Sequence, residues 1–292
     1  MMIRPDPSCD WMVSHAMVPV AQWRYEDIYR VYFCGRDIDN RSRIGYAEVD
    51  IKDPSRVLRF SSKPVLGLGD LGCFDDNGVT PSWIIEYNGR TYLYYIGWNK
   101  RSTVRMYLAA GLAVSDDGGE SFERVWKVPV LDRTPLEPYI LNTAPCVLIE
   151  NGFWRMWYVS AVEWVNPDLP RYNIKYAESR DGLHWDRKGT VCIDFKSPRE
   201  HALARPCVLR EDGRYKMWYS YKQDDYRIGY AESPDGIRWT RKDEEAGIDV
   251  SATGWDSQMI EYAFVFDHGG KKHMFYNGNE YGKDGIGYAV LP

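Results

Sequence analysis

IGYAESPDGIRW, residues 228–239, is a near copy of IKYAESRDGLHW, residues 174–185. Phrases of the same kind begin at Ile44 (IGYAEV), Ala110 (AGLAVS) and Ile286 (IGYAVL), so the motif occurs five times, at intervals of 54 to 66 residues. A period of that length means that the repeated object is a unit of several strands or helices.

Two further phrases recur ahead of it. An aromatic run, YRVYFCG from Tyr29, TYLYYIG from Thr91, FWRMWYVS from Phe153, YKMWYSY from Tyr215 and KHMFYNG from Lys272, alternates as a strand covered on both faces does. Before each of these stand MVPVAQW, VTPSWIIEYNG, TAPCVLIENG, ARPCVLREDG and YAFVFDHGG, the last four ending in Gly-containing hairpin turns. Most copies continue past the IGYA phrase into an outer strand: VLRFSSKPVL, FERVWKVPVL, WDRKGTVCID and WTRKDEEAGID. Five four-stranded antiparallel meanders without an intervening helix predict an all-β fold, a five-bladed β-propeller forming one domain over residues 1–292. The fifth copy stops after its third strand, and residues 1–13 are expected to supply its outer strand, closing the ring and covering an open edge. A pair of β-sandwiches is the alternative, against which the fivefold three-phrase unit argues.

Composition bounds the partners. The chain has 292 residues, 12 Trp, 22 Tyr and a formal charge of −5, so it has no general attraction for nucleic acid or anionic lipid. The N-terminal MMIRPDPSCDWMV lacks the apolar core of a signal peptide, and no run of about eighteen apolar residues spans a bilayer. A cytoplasmic protein with no membrane partner is expected. The six cysteines are scattered without a CxxC pair and are expected as buried free thiols, with no metal and no cofactor implied.

In SRDGLHW and SPDGIRW the Asp-Gly pair reads as a tight turn in which Asp181 and Asp235 accept backbone N–H bonds. These carboxylates are conspicuous, yet the turns join third to fourth strands, on the outer rim. Chemistry is expected at the channel mouth, where the loops leading into the innermost strands converge. Those loops offer Ser14 and His15, then Asp75, Asp76 and Asn77, then Glu137 and Asn142, then Glu200, His201 and Arg205, and finally Asp256, Gln258, Glu261 and Tyr262. Loops between second and third strands open on the same side with Arg36, Trp98, Asn99, Glu163, Lys222 and Glu280 among them. Indole faces mixed with amides and carboxylates suit a sugar, although singly each is an ordinary loop residue. The candidate binding residues are His15, Arg36, Trp98, Asn142, His201, Arg205, Gln258 and Tyr262. A buried Arg205 needs an anionic partner, either Glu261 or an anionic substrate such as an acidic sugar or sugar phosphate. Two or three carboxylates around one pocket permit glycosidic-bond chemistry.

The phrases APCVLIENGFWRMWYVS and YAESRDGLHWDR, repeated round the chain, resemble the superfamily of five-bladed propellers that contains arabinanases, levansucrases, invertases and glycoside hydrolase families 43, 32 and 130. That resemblance implies acidic residues at the starts of inner strands. Here the prolines are kept, but the residues before them are Val18, Thr80, Ala144 and Arg205. Glu261 matches the acid glutamate by its place in a blade, Asp76 resembles the second-blade carboxylate, and Glu200 lies in the fourth blade, where family 43 keeps its acid. The resemblance therefore implies a carbohydrate-active enzyme acting on a glycosidic bond of a small-molecule or oligosaccharide substrate, with Asp76, Glu200 and Glu261 as catalytic candidates. A non-catalytic glycan-binding or scaffolding propeller is the alternative.

Overall fold

The computed structural model describes residues 2–291. Each recurring phrase is a strand. The first unit holds β1 (Ser14–Tyr25), β2 (Ile28–Arg36), β3 (Ser42–Asp50) and β4 (Val57–Phe60). The second holds β5 (Gly78–Tyr87), β6 (Arg90–Lys100), β7 (Met106–Ser115) and β8 (Glu123–Arg124). The third holds β9 (Leu141–Glu150), β10 (Phe153–Asn166), β11 (Leu169–Ser179) and β12 (Asp186–Ile193). The fourth holds β13 (Ala202–Glu211), β14 (Arg214–Lys222), β15 (Tyr226–Ser233) and β16 (Thr240–Arg241), and the fifth β17 (Glu261–His268), β18 (Lys271–Asn277) and β19 (Ile286–Val290). Neighbours within a unit are antiparallel. No helix is long and apolar enough to cross a membrane among the described residues.

Successive units meet where a third strand runs parallel to the next first strand, at Ser42 and Gly78, Leu108 and Leu141, and Tyr172 and Ala202. Ile260 N–H donates to the Tyr226 carbonyl between the fourth and fifth. Strand pairing does not close the sheet: the first four units form one sheet of sixteen strands and the fifth a separate sheet of three. The fifth reaches the first through a side chain, as Asn277 accepts from Val18 N–H at 2.7 Å and donates to the Ala16 carbonyl at 2.8 Å. The expected N-terminal strand is instead a single bridge between Ile3 and Ile286. The rest of that segment packs inward, Trp11 over Gly45 and Met12 over Gly35, which takes it off the sheet edge. The outer strands β8 and β16 are only two residues long, and each carries an arginine, Arg124 or Arg241, to a buried carboxylate.

Those carboxylates explain the glycine of the IGYA phrase. The register sets Tyr95 opposite Gly111, Tyr219 opposite Gly229 and Tyr276 opposite Gly287. Each tyrosine hydroxyl donates to an acid: Tyr95 to buried Asp75 at 2.9 Å, Tyr276 to buried Asp256 at 2.9 Å, and Tyr219 to partly buried Asp243. An arginine from the outer segment completes the bracket, Arg124 on Asp75 at 2.7 Å and Arg241 on both oxygens of Glu200 at 2.7 and 2.9 Å. A Cβ at Gly229 would lie 2.8 Å from the Tyr219 ring and 2.7 Å from Asp243, so a side chain has no room there. The third unit varies the theme. Tyr158 and Arg187 hold Glu137, and Lys175, standing in the glycine's place, brings its ammonium to 3.5 Å from the same carboxylate. In the first unit Phe33 has no hydroxyl, and Trp11 fills the space. Asp75, Glu137 and Asp256, which look unrelated in sequence, are thus one tyrosine-held feature, and in the fourth unit Asp243 takes the tyrosine while Glu200 takes the arginine.

The SxDG turns build themselves and also fasten neighbours. Ser233 Oγ accepts from Asp235 N–H and Gly236 N–H, while Asp235 accepts from Ile237 and Arg238 N–H at 2.9 and 2.8 Å. The Arg238 amide first, then that of Ile237, hold the Asp235 carboxyl well below the usual carboxylate range. The turn then docks on the preceding unit. The Gly236 carbonyl accepts from the Trp157 indole and the Gly182 carbonyl from the Tyr94 hydroxyl, both at 2.7 Å.

Overlap at the bracket predicts that Gly229→Ala lowers unfolding free energy by about 1–3 kcal/mol in denaturant melts. Gly67→Ala, at a position with open space around it, leaves stability unchanged. Equal stability of the two variants contradicts the bracket's role.

Candidate functional site

All five first strands break register near the same place, four across equivalent residue pairs, between Met17 and Val20, Thr143 and Cys146, Ala204 and Cys207, and Glu261 and Phe264, and the second slightly later, between Pro81 and Trp83. The residue at the break has left-handed backbone in four of them: Val18 (φ 55°), Ala144 (φ 50°), Arg205 (φ 53°) and Tyr262 (φ 56°). Such backbone is costly without glycine, most of all for β-branched Val18, and outliers of this kind cluster at functional sites. A bulge re-aims its side chain. Val18, Thr80, Ala144, Arg205 and Tyr262, one from each unit, all line a single cavity of about 560 Å³.

Below this ring, side chains tie the units together. Ser82 Oγ donates to the Pro145 carbonyl at 2.7 Å, Cys146 Sγ accepts from Val208 N–H, and Cys207 Sγ accepts from Val265 N–H. The thiols expected to be buried in APCVL and RPCVL are buried, and they serve as these fasteners.

Arg205 crosses the floor. Its two terminal nitrogens donate to the Ser82 carbonyl at 2.5 Å and the Pro19 carbonyl at 2.6 Å, and its Nε has no partner. The anticipated pairing with Glu261 is absent, since backbone carbonyls of the first two units occupy the guanidinium. Burial pushes Arg205 down to about 10. Glu261 is wholly buried and neither oxygen has a hydrogen-bond partner, so burial pushes its carboxyl well above the ordinary range. It stands beside cavity-lining Tyr262 but does not itself line the cavity.

Of the other catalytic candidates, Asp76 accepts from Gly72 N–H at 2.9 Å and from the Asn99 amide at 2.8 Å, and Glu200 is held by Arg241; neither lines the cavity. Among the binding candidates, Arg36, Trp98, His201, Arg205 and Tyr262 come together in its wall. His15, Asn142 and Gln258 lie outside it. His15 contacts Ser14 Oγ at 3.0 Å, and burial, then the Arg36 charge, push its ring down to about 4. Asn142 is buried and donates to the Tyr139 carbonyl, while the Gln258 amide N–H donates to Asn279.

Lining residues outside the candidate set include Lys100, Arg105, Asp168, Tyr172, Lys222, Tyr226 and Tyr281. Long hairpins bring in most of them. The β10–β11 hairpin runs fourteen residues on its first strand, and its tip is tied to the second unit where Arg105 N–H donates to the Pro167 carbonyl at 3.0 Å. The signal was in the sequence, since the interval from aromatic run to IGYA phrase is longest in the second and third copies. Tyr172 and Tyr226 join hydroxyls at 2.7 Å, and the Lys222 ammonium donates to Tyr281 at 2.9 Å. Charges in the wall are one-sided, with Arg36, Lys100, Arg105, Arg205 and Lys222 facing a single carboxylate, Asp168. Among the described residues no group of three or more His, Cys, Asp or Glu is placed to hold a metal ion.

No family model matches the chain. It is 42% identical to the uncharacterized protein MT1551 of Mycobacterium tuberculosis (strain CDC 1551 / Oshkosh) over 98% of this chain and 96% of that one, and equally to the uncharacterized protein Rv1502 of strain ATCC 25618 / H37Rv. A 110-residue stretch, 35% of this chain and 36% of the other, is 30% identical to a 1,2-beta-oligomannan phosphorylase of Thermoanaerobacter sp. (strain X514). Solved structures share the fold. A glycoside hydrolase superposes with a TM-score of 0.75 at 18% identity, over 99% of this chain and 91% of that one. A thermostable family-43 glycoside hydrolase gives 0.72 at 17% identity, over 99% and 92%. A structure of the GH130 family of mannoside phosphorylases gives 0.72 at 15%, over 99% and 90%. The propeller resemblance read from the repeated phrases is thereby shown for the fold.

Because burial raises the Glu261 carboxyl above its unfolded value of about 4.5, it withdraws stability as pH rises from there toward its folded value. The melting-temperature difference between Glu261→Gln and the parent is expected near zero at about pH 4 and to grow in the variant's favour toward about pH 8. A difference that does not change with pH contradicts a Glu261 carboxyl raised by burial.

Proposed function

The chain belongs to the same family as the uncharacterized Mycobacterium tuberculosis proteins MT1551 and Rv1502, and on that premise we propose that its five units are blades of one closed propeller domain, residues 1–292, whose mouth is the site of a carbohydrate-active enzyme working on a glycosidic bond. The Asn277 bonds to Ala16 and Val18 and the Ile3 bridge support the closure. The observation that carries the functional reading is the cavity lined by one equivalent first-strand residue from every unit, four of them at a bulge, with Trp98, Tyr172 and Tyr262 among hydroxyl, amide and cationic groups. Such a surface matches a pyranose, apolar on its faces and polar round its edge. The unpaired cations favour an anionic ligand, and no nucleic acid or membrane is needed.

In this reading Glu261, buried beside Tyr262 of the wall and with its protonated form favoured by that burial, is the candidate for the acid that a leaving glycosidic oxygen requires. Asp168, the carboxylate in the wall, is the partner base. Asp76 and Glu200 act one step back, Asp76 by orienting Asn99 and Glu200 by fixing the loop that presents His201. The six free thiols favour the cytoplasm. One observation favours the alternative of a glycan-binding propeller without catalysis: the five ring positions, Val18, Thr80, Ala144, Arg205 and Tyr262, contain no carboxylate.

Incubation with 1,2-β-mannooligosaccharides, with and without inorganic phosphate, and with arabino- and fructooligosaccharides separates the two. Turnover of one of them is expected, with kcat falling about 10²–10⁴-fold in Glu261→Gln and Trp98→Ala raising KM instead. Binding that needs Trp98, without turnover and indifferent to Glu261→Gln, supports the binding module. Absence of both binding and turnover refutes the sugar site.

A further inference from the structure

Resting on the reading of the mouth as a sugar site, we propose that the sugar it takes carries a covalently attached phosphoryl group, received between Arg36, Lys100 and Arg105. The contrast with the rest of the molecule is the ground for this. Every other deeply placed arginine is neutralised: Arg30 by Glu48 and Glu120, Arg124 by Asp75, Arg187 by Glu137 and Arg241 by Glu200. Among the cavity cations only Arg205 is as deeply placed, and it has no acidic partner; Arg36 and Lys222 are partly buried and Lys100 and Arg105 exposed. None of Arg36, Lys100, Arg105, Arg205 or Lys222 forms an ion pair among the described residues, although the chain as a whole is acidic. Arg205 is wholly buried with its Nε unmatched, the costliest form of an uncompensated cation.

The number and placement of these charges select the ligand. A uronate carries one negative charge and neutralises one cation, whereas a phosphomonoester carries about 1.5 to 2 with three acceptor oxygens and engages two or three. The cations also divide. Arg205 and Lys222, on the fourth unit, already donate to carbonyls and to Tyr281. Arg36, Lys100 and Arg105, on the first and second units, keep most of their donors free; Arg36 alone makes a side-chain bond, to Asn40 at 3.1 Å. Tyr172 and Tyr262 stand on the third and fifth units, so the sugar ring rests on the tyrosines and the phosphoryl group lies across the cavity on the open cations.

Calorimetric titration of the whole protein with glucose 1-phosphate, mannose 1-phosphate, mannose 6-phosphate, glucuronate, inorganic phosphate and glycerol 3-phosphate tests this. At least one hexose phosphate is expected to bind about tenfold or more tightly than glucuronate and inorganic phosphate. Lys100→Ala and Arg105→Ala, both at exposed positions, each weaken that binding about fivefold or more with unchanged melting temperature. Glucuronate or inorganic phosphate binding as tightly as every hexose phosphate, or no hexose phosphate binding at all, overturns the proposal. Failure of the underlying sugar reading looks different: glycerol 3-phosphate matches the hexose phosphates and Trp98→Ala changes nothing.

Discussion

The structure depends on the bracket in which a buried carboxylate, a second-strand tyrosine and an outer arginine are held over a third-strand glycine. A charged hydrogen-bonded cluster of this kind is costly unless its members are satisfied; Tyr158 and Arg187 engage both oxygens of Glu137, and Tyr95 and Arg124 share one oxygen of Asp75, each within one unit. The loop before the inner strand is thereby anchored in the second to fifth units, while Trp11 fills the equivalent space in the first. The repeated glycine serves packing, and the varied acids serve the same packing.

This division of labour shapes the site. Asp75, Glu137 and Glu200 on the leading loops are engaged by arginines, so among the described residues the cavity retains Asp168 as its only lining acid, with buried Glu261 next to Tyr262. Cations remain in excess there because the acids that would pair with them are placed elsewhere. A chain of net charge −5 thus presents a positive hollow, which excludes the simplest picture of a pocket lined by two or three carboxylates.

Much of the fold was legible because strand alternation and turn chemistry are local. The IGYA phrase, the aromatic run and the SxDG turn each carry their structure within a dozen residues. The N-terminal segment was less so, since whether Ile3 forms a bridge or a strand depends on Trp11 finding the space over Gly45. The site was legible in part. Arg36, Trp98, His201, Arg205 and Tyr262 could be placed because the loops bearing them follow from strand order. Glu200 resembled a catalytic acid because its partner Arg241 stands 41 residues away, and no local pattern links the two. Lys100, Arg105 and Tyr172 reach the cavity only through the extra length of two hairpins, which shows in phrase spacing but not in residue type.

The most direct measurement is the location of a bound hexose phosphate in difference density from soaked crystals at neutral pH. The account expects density inside the five-unit cavity, with the sugar ring against Tyr172 or Tyr262 and the phosphoryl group within hydrogen-bond reach of Arg36 or Arg105. Density confined to the outer rim, or a cavity that remains empty while the ligand binds in solution, would contradict it.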